Sequence, residues 1–232
     1  SILADELIPS FEQNIFVTWL SGSGVGKFPK STLTKMLTGK VVNVSPYIAQ
    51  LEHGVTASGS PKDIETMMQL IYLFCTQPRF EASEFEAGFN QLKAIVPNIM
   101  NQPNMVFSKV LQETMLGNSP RRPFISEELL EKASLENIKK GYTQLMADQG
   151  GLKVYITGNV NMVELKGLVE KYIGSLPVAS ANGTSWVDEG IKTPEGVHQK
   201  VFAVPMESPK TTVALLYTGK MEKNLENDIK MS

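Results

Sequence analysis

The sequence predicts an α+β fold, a two-layer sandwich in which helices cover one face of a mostly antiparallel sheet. Three observations predict it. Two β-branched segments lie close together like a hairpin, capped amphipathic helices follow them, and a strand-like segment, a helix and two more strand-like segments come last. Elements in this order are typical of a sheet that is covered by helices on one side.

The N-terminal part is predicted to hold two helices and a hairpin. The evenly spaced Gly22, Gly24 and Gly26 are expected to end the first helix, and Gly39 the second. The second segment of the hairpin is read as the partner strand of the first. In order, the predicted elements span Ile2–Leu20, Ser31–Leu37, Val41–Leu51 and Gly54–Ser58.

Capping motifs predict the helices in the middle of the chain. Ser60-Pro61-Lys62-Asp63 and Ser83-Glu84-Phe85-Glu86 have the form of helix starts, and Pro78 and Pro97 are expected to end these two helices. A third helix is predicted over Val106–Leu116, and further helices start at Ser126 and Ser134. The apolar spacing predicts these inward side chains: Ile64, Met67, Met68, Ile71, Phe74, Cys75, Phe85, Phe89, Leu92, Val96, Leu135, Ile138, Tyr142, Leu145 and Met146.

The C-terminal part is predicted to contain a strand over Gly151–Gly158, a capped helix over Asn161–Gly174 and paired strands over His198–Val204 and Thr211–Thr218. We therefore divide the chain into three parts. Residues 1–179 form the helical and strand body of one domain, residues 180–197 an exposed connection, and residues 198–232 a strand pair with the start of the following helix. Neither end has the features of a natural terminus, so we expect a piece of a longer protein.

Composition excludes several classes of protein. The 232 residues carry a net charge of −2, without the basic stripe of a nucleic-acid binder. The longest apolar runs, such as Leu70–Cys75, are far shorter than the roughly 18 residues of a membrane span. The single cysteine, Cys75, excludes an internal disulfide and is predicted to be a small core residue.

Two motifs come close to sites of known chemistry. Ser21–Phe28 resembles a phosphate-binding loop, but Ser21 replaces the first glycine and Phe28 the hydroxyl residue that would hold Mg²⁺. A nucleotide-binding module is kept as a weak alternative to a flexible link. Ala49–His53 is a near miss to the zinc motif H-x-x-E-H, since Ala49 cannot bind a metal.

Several other residues have a structural explanation and are not assigned to a site. His198 is expected to be solvated and Pro120–Pro123 to be a basic turn, and no role is assigned to the glycosylation sequon Asn182–Thr184. We do not assign Tyr47, Phe80 or Arg121 to a functional site either. The residues alone therefore predict no catalytic, cofactor-binding or metal-binding set.

The segment Val154–Pro177, VYITGNVNMVELKGLVEKYIGSLP, resembles the strand–Gly-Asn–helix–Leu-Pro segment of the pitrilysin/insulinase family of zinc peptidases. Weaker matches occur in the order found in that family. They run over most of Ser21–Tyr217 and include Ser23–Phe28, Leu37, Gly39, Lys40, His53-Gly54, Gly59-Ser60, Lys62-Asp63, Gln69–Leu73 and Pro78-Arg79.

The resemblance implies a protease of two similar halves that close around a chamber for unfolded peptides. The first half would bind zinc through an inverted H-x-x-E-H motif and a distal Glu, whereas the second half would lack the ligands. The segment Ser31–Gly39, which stands where that motif would be, holds no His or Glu. The resemblance therefore implies a non-catalytic domain of the second half, in a large bacterial member of the periplasm or secreted.

The partners implied are the catalytic half of the same parent chain, which would carry the zinc, and peptide substrates. A substrate would add as an extended strand to an exposed sheet edge, although the sequence does not show which edge is free. The alternative from another class is a module of a wholly non-catalytic peptide-binding or assembly protein of the same fold.

Overall fold

A computed structural model describes residues 20, 22–48, 52–117, 119, 123–147, 149–178, 190–222 and 224–231. Its described part contains these elements: α1 Lys30–Met36, β1 Val42–Ile48, β2 His53–Gly59, a 3₁₀ turn Pro61–Asp63, α2 Ile64–Thr76, α3 Ala82–Met100, α4 Pro103–Leu116, α5 Glu127–Lys132, α6 Leu135–Met146, α7 Met162–Leu168, a π-helical turn Val169–Ile173 and α8 Leu225–Met231. We call the described residues from 22 to 178 the packed body, and residues 190–222 the C-terminal segment.

The strands β1 and β2 form the predicted hairpin, the one sheet within the described residues. They pair antiparallel, with Val42 opposite Gly59 and Ile48 opposite His53. The ring of Tyr47 covers its cross-strand partner Gly54, because a Cβ built on Gly54 would lie 3.1 Å from that ring. Alternate residues of the hairpin face the helices, so one side of this small sheet is apolar.

The main core lies between the hairpin, α2, α3 and α6. Tyr142 of α6 is completely buried at its centre, where its hydroxyl donates a hydrogen bond of 2.7 Å to Phe74 O. In an α-helix, each carbonyl oxygen accepts a hydrogen bond from the N–H of the residue four positions later. For Phe74 O that residue is Pro78, which has no N–H to donate. The hydroxyl of Tyr142 therefore replaces the missing donor at the end of α2.

A second cluster fastens α7 to α2. Leu165 and Leu168 pack on Ile64 and Met68. On the surface, Glu65 Oε1 accepts hydrogen bonds from Tyr172 Oη at 2.9 Å and from Lys171 Nζ at 3.0 Å. The π-helical turn is thus held on α2 by both apolar and polar contacts.

Buried Asp63 joins the hairpin to α2. Its carboxylate accepts a hydrogen bond of 3.0 Å from Val41 N and lies 3.7 Å from Lys40 Nζ. Ser60, in contrast, makes no side-chain cap. The predicted helix start at Ser60 is therefore correct in position but not in the residue that stabilises it.

Most helix predictions are confirmed, but the predicted bounds of α3 are wrong at both ends. Ser126 and Ser134 cap α5 and α6 by accepting bonds from Leu129 N and Asn137 N. The predicted start at Ser83 is wrong, because α3 begins at Ala82. The predicted end at Pro97 is also wrong, since α3 continues to Met100. Leu70 is buried although its spacing did not predict it. The inward orientation of the half-buried residues is confirmed, because all of them pack against a core cluster: Met67, Ile71, Phe89, Leu92 and Leu135.

The strands predicted over Gly151–Gly158, His198–Val204 and Thr211–Thr218 form no hydrogen-bonded ladder within the described residues. Their side chains find little cover, as Val201 and Tyr217 are 86% and 93% exposed. In the C-terminal segment, Phe202 does contact the packed body, with its ring centroid 6.3 Å from that of Phe107. The predicted C-terminal helix is confirmed as α8, whereas Ile2–Trp19 lies outside the described residues.

Candidate functional site

A groove of about 1150 Å³ lies beside β2. One wall is β2 itself, and the other is the segment 151–160, which follows α6. The floor is formed by α2 and by the end of α6, with Ile64, Met68, Ile71 and Leu145 among its residues. This groove is larger than most small-molecule sites, which take roughly 300–1,000 Å³.

The register of the hairpin decides which backbone groups of β2 face the groove. Ser60 N donates to Val41 O at 2.9 Å, so these two residues form a hydrogen-bonded pair. Such pairs alternate with non-hydrogen-bonded ones along an antiparallel ladder. Thr56 and Ser58 therefore bond to β1, whereas the N–H and C=O groups of Val55 and Ala57 point away from it, toward the groove.

The two outer edges of the hairpin differ. Pro46 occupies a non-hydrogen-bonded position of β1, so its ring nitrogen, which has no hydrogen, faces away from β2. A proline there blocks the addition of another strand to β1. The residues Val55–Gly59 of β2 include no proline and no charged side chain. The edge toward the groove therefore lacks the usual protection of an exposed strand.

The opposite wall also carries unpaired backbone. Residues 152–157 take part in no strand pairing within the described part of the chain. Ile156 packs on the α2–α7 cluster, whereas Tyr155 is 84% exposed. The groove thus lies between two segments of strand-forming sequence that lack a partner on the facing side.

His53 begins β2 and lines the groove. Its Nε2 lies 3.2 Å from Leu145 O, and because a carbonyl oxygen only accepts, Nε2 carries the hydrogen in this bond. Burial holds the pKa of His53 below its ordinary value, and the bond to Leu145 opposes this shift only in part. His53 therefore fastens β2 to α6 as a neutral ring.

Cys75 is buried in α2 beside the groove. Burial raises the pKa of its thiol to about 11. Because the thiolate is the nucleophilic form, the side chain is unreactive at neutral pH. The prediction that Cys75 is a core residue is confirmed.

The described residues do not fit a zinc ion. No group of three or more His, Cys, Asp or Glu side chains among them is placed to hold a metal. The two histidines have different partners. His53 bonds to Leu145 O of α6, and exposed His198 lies 3.0 Å from Glu195 O. A zinc site needs at least three protein ligands, which this arrangement does not supply.

The glycine-rich segment is a tight turn, whereas the sequence predicts a flexible link if the segment does not bind a nucleotide. Val25 N and Phe28 N bond to each other's carbonyl oxygens, and Gly26 N donates to Gln77 O at 2.8 Å. Val25 is completely buried. Three amide groups of this segment are therefore already bonded within the protein, which weakens the case for a phosphate-binding loop. Ser21 lies outside the described residues.

The remaining residues singled out in the sequence lie apart from each other. Tyr47 bonds to Glu52 at 3.4 Å at one end of the groove. The ring of Phe80 stands edge-on to Tyr142 in the core, at 6.0 Å between centroids. Arg121, Ala49 and Asn182–Thr184 lie outside the described residues.

Solved structures of proteases share this fold at low sequence identity. The periplasmic protease PqqL from Escherichia coli superposes with a TM-score of 0.64 and 19% identity over 84% of this chain. A mutant of the ferredoxin protease FusC, in complex with Arabidopsis ferredoxin, gives 0.61 and 12% over 76%. A protease from Helicobacter pylori gives 0.53 and 14% over 81%. The fold is pitrilysin-like.

The similarity covers only part of each protease. The chain spans 21% of the length of PqqL, 19% of FusC and 47% of the Helicobacter protein. The first half of PqqL alone superposes with a TM-score of 0.53, so the similarity holds for the fold and does not select one half. No protein-family model and no curated protein sequence matches the chain. Within the described residues, no helix has the length and apolar character that a bilayer crossing requires.

Sequence reasoning missed the groove, although it predicted a strand for each of its walls, of which only β2 forms within the described residues. The available signal was Pro46, since a proline inside a strand marks an outer edge. That signal becomes decisive only with the register, which shows that Pro46 and the groove lie on opposite sides of the hairpin.

Proposed function

We propose that this chain is a non-catalytic domain of a bacterial zinc metalloendopeptidase, and that it forms one wall of a clam-shell chamber for peptides. The observation that carries the proposal is the fold shared with PqqL over 84% of the chain. The donor geometry supports the non-catalytic role, because the described residues offer no zinc-binding set. The similarity to a periplasmic protease supports a location in the periplasm or outside the cell.

In this proposal, the zinc and the hydrolysis of the peptide bond belong to the other half of the parent polypeptide. The present chain contributes the packed body around Tyr142 and a surface that would face the chamber. Burial raises the pKa of the Cys75 thiol to about 11, so this side chain is not an activated nucleophile. In this proposal, the domain acts on proteolysis through binding and positioning of the peptide.

The test compares the 232-residue chain with the full-length natural polypeptide. We expect zinc analysis to give about one ion per full-length molecule and none on the 232-residue chain. Cleavage of unfolded casein should occur only with the full-length protein and should stop on addition of a chelator. Stoichiometric zinc or chelator-sensitive cleavage by the 232-residue chain would overturn the proposal. A full-length protein with neither property would be the wholly non-catalytic peptide-binding or assembly protein instead.

A further inference from the structure

The groove beside β2 has the features of an unfilled strand position in a larger sheet. Its two walls both present unpaired backbone, and a two-stranded sheet is by itself only marginally stable. By register, Ala57 and Gly59 belong to the core face of β2, together with Val55, yet both are exposed. The core face of β2 is therefore uncovered where it meets the groove.

We propose that a β-strand from another part of the same, longer polypeptide fills this groove and pairs with Val55–Gly59 of β2. This inference rests on the proposed function in one respect, namely that the chain belongs to a longer protein. A chain that spans about a fifth of PqqL and FusC leaves most of such a protein to supply the strand.

The surroundings define the chemistry of the occupant. Its inward side chains would contact Met68 and Ile71 and must be apolar, whereas the outward face of the hairpin, with Asn43 and Thr56, is polar. The added strand would therefore alternate apolar and polar residues. Its backbone would bond to the N–H and C=O groups of Val55 and Ala57.

A permanent strand fits this groove better than a transient peptide does. An uncharged strand edge without proline, next to an apolar floor, is an aggregation site whenever it stands open. A substrate groove would be empty for most of the time and would need protection against aggregation. The other edge of this hairpin has such protection in Pro46, whereas Val55–Gly59 has no proline and no charge. This difference between the two edges favours a strand that is permanently bound in the groove.

Hydrogen exchange at single amides tests the proposal with an internal control. In the full-length polypeptide, we expect the amides of Val55 and Ala57 to exchange about 100-fold more slowly than in the 232-residue chain. The amides of Thr56 and Ser58, which bond to β1, should be slow in both proteins. Equal rates for Val55 and Ala57 in the two proteins would overturn the proposal.

Two other outcomes would also overturn it, because they name a different occupant. Protection of the Val55 and Ala57 amides that grows with protein concentration would identify a second copy of the chain as the occupant. Slow exchange that appears only after addition of unfolded casein would identify a substrate. A full-length protein that lacks zinc and proteolysis but protects Val55 and Ala57 would refute the proposed function and leave this inference standing.

The variant Ala57→Pro gives a second test. Proline removes the N–H that faces the groove but no bond to β1, so the hairpin itself is kept. We expect the midpoint of this domain's own unfolding transition to fall by about 5 °C in the full-length protein, and by less than about 1 °C in the 232-residue chain. The matched control Thr56→Pro removes a bond to β1 and should lower both midpoints. An Ala57→Pro variant that leaves the full-length protein unchanged contradicts the proposal.

Discussion

Alternating apolar residues form a hydrogen-bonded ladder in Val42–Ile48 of the packed body, but none in Thr211–Thr218 of the C-terminal segment. The strand propensity of Thr211–Thr218 is at least as high, because this segment lacks the Asn and Pro of Val42–Ile48. The difference is that β1 and β2 meet α2 and α6 on one face, whereas Leu215 and Tyr217 are 78% and 93% exposed. A strand pattern therefore becomes a strand only where other elements supply a partner and a cover.

The largest contrast between the two regions is expected at their tyrosines. Tyr142→Ala empties the centre of the core and should cost about 4 kcal/mol in the free energy of unfolding. Tyr217→Ala removes a side chain that packs on little and should change it by less than about 0.5 kcal/mol. Urea unfolding followed by circular dichroism measures both. Similar losses for the two variants would mean that the C-terminal segment is packed after all.

A pair of glycines sharpens the comparison. Gly24 and Gly196 both have a positive φ, of 86° and 99°, but a Cβ on Gly24 would lie 2.2 Å from Phe28 O, whereas nothing lies within 4 Å of one on Gly196. Gly24→Ala should therefore cost about 3 kcal/mol.

The matched variant Gly196→Ala carries only the strain of the left-handed backbone, about 1 kcal/mol. Thermal unfolding of the two variants in parallel checks this difference. If Gly196→Ala were the more damaging one, the description of its surroundings would be wrong.

The hydrogen bond from Tyr142 to Phe74 O is a smaller effect. Tyr142→Phe keeps the ring and leaves the carbonyl at the end of α2 without a donor, which should cost about 1.5 kcal/mol. Tyr217→Phe is the control in the exposed region and should be neutral. Urea midpoints distinguish the two, and a neutral Tyr142→Phe would show that the carbonyl finds another donor.

The smallest expected effect is the pH dependence that comes from His53. Its pKa is lowered in the folded chain, so the unfolded chain binds more protons below the ordinary value of 6.5. Stability should therefore decrease as the pH falls through 6.5. His53→Gln should flatten this part of the profile, while His198→Gln should not, because it leaves His53 in place. Urea midpoints between pH 5 and pH 8 measure the slope, and the opposite slope would reject the explanation.

The elements that the sequence predicts best are those that depend on near neighbours. The Ser126 and Ser134 caps are correct because each needs only an amide three residues ahead. Ser83 fails although its motif is as good, because the chain after Pro78 enters the helix earlier, with Glu81 in the capping position.

The remaining features depend on residues far away in the sequence. The strand over Gly151–Gly158 needs a pairing partner that its own sequence cannot provide. The groove requires the register of β1 on β2, the position of Pro46 in it and the arrival of α6, and none of these follows from a local pattern. The local patterns predict an α+β class, with which the described helices and the hairpin are compatible, but they do not predict the groove.

The bond between Tyr142 and Phe74 O also has a consequence for the order of folding. The last turn of α2 is completed by a residue 68 positions further along the chain, so local helix formation alone leaves this end frayed. Loop closure over such a separation is slow compared with helix growth. In refolding kinetics, Tyr142→Phe should therefore mainly accelerate unfolding if α6 docks after the rate-limiting step, and mainly slow refolding if it docks before.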